Sequence, residues 1–131
     1  MINIRFDYLY RDASNYSQRG SVVFADPDQL SWHLPELENR LRQVLMVDGT
    51  FSAHQIRLPE LFPYVAGATS NDDHCLHEFF GLEATTDQPD DQLHRRFTLF
   101  LDEIERASRG GWLGFDPNRP LSVRKYFRFS A

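Results

Sequence analysis

The chain reads as an α+β fold, a two-layer sandwich in which a mainly antiparallel sheet of four to five strands carries two helices on one face. Three observations lead there: strict apolar alternation at the N-terminus, two segments with apolar residues at helical spacing, and short apolar stretches between them bounded by Pro, Gly and Asp. The 131 residues are expected to form one domain, 1–131, because a second core would leave neither half enough apolar surface to bury. With 41% hydrophobic and 25% charged residues the composition is that of a folded globular chain, which sets aside disordered and fibrous readings.

Ile2, Ile4, Phe6, Tyr8 and Tyr10 alternate with Asn3, Arg5, Asp7 and Leu9, a period of two that gives a strand one apolar face. Arg11 to Gly20 is polar and reads as a connection, so the apolar Ser21 to Ala25 is expected to return as the second arm of a hairpin. Asp26-Pro27-Asp28 stops that strand, since proline has no N–H for the ladder. Leu34, Leu37, Leu41, Val44 and Leu45 then predict a helix over 34–46. Pro35 sits in its first turn, where no intrahelical donor is lost, and Asp48-Gly49 supplies the stop. Phe51 to Leu58 is expected as a third strand closed by Pro59, and 59–77 as a long loop.

Glu78 to Ala84 is the fourth strand. Asp87, Asp90 and Asp91 put negative charge where a second helix would begin, and Leu93, Phe97, Phe100, Leu101 and Ile104 form its apolar stripe down to Ala107. Gly110-Gly111 ends it. Leu121 to Phe129 predicts a fifth strand, with Val123, Lys125, Phe127 and Phe129 opposite Arg124, Tyr126 and Arg128. The order is ββαββαβ. Without its first strand it becomes βαββαβ, the order of ferredoxin-like folds.

Composition also narrows the partners. No apolar run approaches the roughly 20 residues of a membrane span, and Cys75 has no second cysteine to pair with, so a cytoplasmic protein with no membrane contact is expected. Residues 25–118 carry seven Arg against seventeen acids, which argues against a nucleic-acid coat held by phosphate neutralisation. The tail is the opposite: Arg119, Arg124, Lys125 and Arg128 face no acid within 119–131, a strip suited to an acidic protein partner or an acidic patch on a second copy. A closing strand with Val123, Phe127 and Phe129 exposes an apolar edge, and pairing in a homodimer is one way to cover it.

Three groups of side chains carry candidate chemistry. On a helix, His74, His77 and Glu78 would share a face and, with Asp73, form a metal site for a small hydrolase or nuclease. On a strand, His77 points away from the other two, and the cluster becomes a polar loop tying down its own amides. Tyr8, Tyr10, Arg11 and Tyr16 place rings with polar tips around the first connection, and Arg124, Tyr126 and Arg128 form a cationic aromatic face; both are candidate binding surfaces.

The run Tyr8-Leu9-Tyr10-Arg11-Asp12-Ala13-Ser14-Asn15-Tyr16, with the later Asp73-His74 and His77-Glu78-Phe79, resembles a pattern of small bacterial proteins over about residues 2–86. The resemblance implies a compact bacterial protein and attaches no activity to it. No phosphate loop, nucleophile elbow or complete catalytic constellation is legible, and no cofactor is implied. The expected function is therefore a non-enzymatic module that binds or regulates a protein partner, with the metal-dependent hydrolase built on Asp73, His74, His77 and Glu78 as the alternative.

Overall fold

A computed structural model describes residues 1–12, 17–62, 75–116 and 124–129. The N-terminal alternation forms β1 (Asn3–Arg11), which hairpins onto β2 (Ser17–Phe24). A 3-10 turn over Leu30–His33 leads into α1 (Leu34–Val44). Asp26 organises this junction, its buried carboxylate accepting the Leu30 and Ser31 amides at 2.9 and 2.8 Å. Next come β3 (Thr50–Phe51), β4 (His77–Thr85), α2 (Phe97–Gly110), β5 (Leu113–Phe115) and β6 (Tyr126–Arg128).

The first four strands make a curled antiparallel sheet in the order β2-β1-β4-β3, and both helices pack on one face of it. This is the expected α+β sandwich at its lower strand count. Ile4, Phe6 and Tyr8 of β1, Val22 and Phe24 of β2, and Phe79 and Leu82 of β4 meet Leu37 and Leu41 of α1 and the stripe Phe97, Phe100, Leu101 and Ile104 of α2. Phe100 is central: it stacks on Phe24 at 4.2 Å and meets Phe6 edge-on at 5.2 Å, arrangements that suit the charge distribution of aromatic rings.

Four expectations are corrected. Residues 17–20, expected as part of the polar connection, are the first half of β2, because the register with β1 runs unbroken through them. The third strand is two residues long, not eight: Ala53–Arg57 is a turn, closed by the Leu58 amide on the Ala53 carbonyl at 2.9 Å, with Arg57 in the left-handed region at φ 57°. The second helix begins at Phe97, four residues beyond Leu93, because the Phe97 amide is claimed by the Ala25 carbonyl at 2.8 Å. Among the described residues the closing strand does not join the main sheet: β6 pairs with β5, and β1 occupies the place between β2 and β4. The ferredoxin-like order is thus not the order seen. Residues 121–123, which begin the expected fifth strand, lie outside the described residues.

Sheet edges need cover, and this one has it at particular points. β3 is too short to reach along β4, and the Leu82 amide on that edge donates instead to Glu38 of α1 at 2.8 Å. On the opposite edge the Val23 amide donates to Asp90 Oδ1 at 2.7 Å, and the Val23 carbonyl accepts the Asp90 amide at 3.0 Å. Ala25 follows with a parallel bridge to Arg96. Among the described residues no helix is long and apolar enough to cross a membrane.

Candidate functional site

The cover on β2 stops at Val23. Within the unbroken register with β1, backbone groups alternate in direction, so Ser17, Arg19 and Ser21 turn their N–H and C=O the same way as Val23, away from β1. All three are exposed, and among the described residues nothing pairs with that edge. Gly20 holds the inner side: a Cβ there would lie 2.9 Å from Leu61, so the 59–62 segment crosses directly beneath the strand.

The face of the sheet away from the helices rises beside this edge. Arg5 bridges Asp7 at 2.8 Å and Glu83 at 2.7 Å, and Arg11 pairs with Glu78 at 3.3 Å, a ladder that neutralises most of the charge locally. Arg19 and Asp87 make no ion pair among the described residues, and the Arg19 guanidinium lies 4.8 Å from the centroid of Phe80, which is 54% exposed. A bulge between Asp7 and Tyr8 in the β1–β4 register inserts Phe80 as an extra residue and pushes its ring outward. Arg5, Asp7, Arg19, Phe80, Glu83 and Asp87 together line a concavity of about 440 Å³.

The sequence-predicted residues distribute differently from expectation. Tyr8 and Tyr10 are core side chains, not surface ones; the Tyr8 hydroxyl donates to the Pro59 carbonyl at 2.6 Å, and Tyr10 meets Phe62 edge-on at 4.8 Å. Both lie on the helix-facing side of β1, where the apolar alternation continues to the end of the strand. Arg11 reaches the outer face. Tyr16 lies outside the described residues.

Tyr126 and Arg128 are two residues apart on β6 and share a face, whereas Arg124 precedes the strand and does not continue it. Arg124 turns inward: its side chain is 5% exposed, bonds both Glu60 oxygens at 3.1 and 3.2 Å and lies 3.8 Å over the Phe115 ring. Tyr126 turns outward onto His54, and Arg128 donates to the Gly110 carbonyl at the end of α2.

His77 and Glu78 fall on opposite faces of β4, as neighbours on a strand must. His77 is fully buried among Tyr8, Tyr10 and Phe62, and its Nε2 accepts the Leu61 amide at 2.9 Å. That nitrogen ties down the long loop and is engaged, while Glu78 serves Arg11 on the far side. Asp73 and His74 lie outside the described residues, and among the described residues no three His, Cys, Asp or Glu side chains converge as a metal site. Cys75 is buried beside Phe115, whose amide donates to its sulfur at 3.3 Å; burial pushes the thiol pKa up, outweighing that hydrogen bond.

One network had no counterpart in the sequence reading. Arg95, whose side chain is 2% exposed, bonds both Asp91 oxygens at 2.9 Å and Glu103 at 2.7 Å, and donates to the Ile56 and Arg57 carbonyls at 2.9 and 3.1 Å. Burial works against the Asp91 carboxylate, but hydrogen bonds and charge from Arg95 prevail and hold its pKa below the ordinary range. The i, i+4 spacing of Asp91 and Arg95 was the one available signal, and on a surface helix it would mean little. No protein-family model matches the chain, and no curated protein or solved structure matches it.

Proposed function

We propose that this chain is a non-enzymatic cytoplasmic module that binds a protein partner by accepting an extended segment along the open half of β2. The observation that carries the reading is the contrast within one strand: Asp90 satisfies both backbone groups of Val23, while the equivalent groups of Ser17, Arg19 and Ser21 face solvent. An added strand would satisfy them through main-chain hydrogen bonds worth about 0.5–1.5 kcal/mol each, with specificity left to side chains at alternate positions. Arg19 and Phe80 set that specificity. An acidic residue beside the unpaired guanidinium and an apolar residue on the exposed ring make the segment acidic and alternating. A second copy of the chain fits less well, since a two-fold pairing centred on Arg19 would oppose two guanidinium groups.

The test is selection of linear peptides from a phage-displayed random library against the full chain, followed by titration of the best synthetic peptide. The expected result is a peptide rich in Asp or Glu that slows hydrogen exchange at the Arg19 and Ser21 amides. S21P removes one outward N–H without touching the ladder to β1, so it should stay folded and lose binding at least tenfold. No enriched peptide, equal binding by S21P, or light scattering that shows the edge occupied by a second copy would overturn the reading.

A further inference from the structure

A second concavity lies between the Ala53–Arg57 turn and the terminal hairpin. Its lining is Ser52, His54, Gln55, Arg57, Leu113 and Tyr126, and its volume of about 410 Å³ is within the range that encloses a small molecule. The walls are fixed from behind. Arg95 pins the turn through the Ile56 and Arg57 carbonyls, and Gln55 clamps the hairpin by donating to the Gly111 carbonyl at 3.2 Å and accepting the Leu113 amide at 2.7 Å.

Two features of the cleft point to a ligand. His54 and Tyr126 stack on each other at one side of the cleft: the rings are nearly parallel at 19° with centroids 5.6 Å apart, the Tyr126 hydroxyl lies 3.1 Å from His54 Nε2, and His54 Nδ1 lies 3.9 Å from the Glu60 carboxylate behind it. Arg57 also lines the cleft. Arg57 is exposed and makes no ion pair among the described residues; its backbone is left-handed at φ 57°, as are those of Gln29, Asp48 and His94, and its carbonyl is held by Arg95. We infer that this cleft binds a small planar anion, a flat ring carrying a carboxylate or phosphate, with the ring on His54 and Tyr126 and the charge on Arg57.

The full chain, isotopically labelled, is titrated with naphthalene-2-carboxylate, 2-naphthyl phosphate and the neutral naphthalene-2-carboxamide while amide resonances are followed. The expected result is that one or both anions shift His54, Gln55, Leu113 and Tyr126 and bind at least tenfold more tightly than the carboxamide. R57Q should erase that preference. R57G, which relaxes the left-handed residue and removes the cation together, should erase it while keeping a cooperative thermal transition. No shifts up to millimolar probe, equal affinity for the carboxamide, or a preference that survives both Arg57 variants would overturn the assignment.

Discussion

Replacing Arg95 by methionine is the sharpest test of what holds this fold together. Methionine keeps the volume packed near Phe24 and Phe100, whose ring centroids lie 5.6 and 5.1 Å from the guanidinium, so the change isolates charge and hydrogen bonding from packing. What remains in R95M is the Asp91 carboxylate, its side chain 3% exposed, with no cation, and two turn carbonyls without their donors. Breaking a buried pair from one side costs about 3–5 kcal/mol, and each stranded carbonyl about 1 kcal/mol more, partly the same loss counted again. About 4 kcal/mol is the working figure, a large part of the roughly 5–15 kcal/mol that stabilises a domain. Urea unfolding should show it as a midpoint lower by about 2 M at unchanged slope, taking a slope of about 2 kcal/mol per M.

Removing both charges in D91N/R95M should cost less than R95M alone, since no isolated carboxylate is then buried. R95K, which keeps the charge but not the fork that spans Asp91 and the two carbonyls, should fall between. The pH dependence carries the same signature. Because the Asp91 pKa is lower folded than unfolded, its contribution is complete above the ordinary Asp value of about 3.9 and is lost as pH falls through the folded value. The stability gap between the chain and D91N should therefore close in acid. A loss below about 1 kcal/mol for R95M, or a double variant no more stable than the single one, would refute the reasoning and reduce Arg95 to packing.

Two further outcomes follow from local geometry. Cys75 is buried with its pKa raised, so the native chain should react with a disulfide reagent such as Ellman's far more slowly than the urea-unfolded chain, and rapid native labelling would contradict its placement. A Cβ at Gly114 would come within 2.5 Å of the Phe127 ring and 2.7 Å of Phe129, so G114A should separate β6 from β5 at a cost of about 1–3 kcal/mol, visible as altered Leu113 and Phe127 amide shifts; an unperturbed spectrum would show that the hairpin is not packed this way.

The parts of this fold that were legible in the sequence are those whose cause is local. Alternation from Ile4 to Tyr10 and the stripe from Phe97 to Ile104 each declare a buried face, and those residues are buried. Pro35 and Gly111 mark the limits of the helices, where the structure has them. Phe51, Ala53, Ile56 and Leu58 are equally buried, which is why the segment resembles a strand, yet its backbone bends into a turn whose carbonyls are claimed by Arg95, some forty residues later. No spacing within 51–58 reports on that partner. Asp90 and Asp91 misled in the same way: their charge suits a helix N-terminus, but Asp90 satisfies the β2 edge and Asp91 satisfies Arg95.

The segment from Asp90 to Phe97 covers β2 only at Val23 and Ala25, because Asp91 and Arg95 are drawn beneath it toward the Ile56 and Arg57 carbonyls and the Phe97 amide is fixed on Ala25. It cannot slide toward Ser21 without breaking that buried network. The open half of β2 is thus set by where the chain is anchored and not by the composition of the strand, whose polar Ser17-Gln18-Arg19 start read as mere connection. The same anchor holds Arg57 in its left-handed conformation at the neighbouring cleft. Loosening it through R95M should therefore raise hydrogen exchange at Val23 and at the 53–57 turn together, before global unfolding, whereas changes confined to one of them would separate the two surfaces.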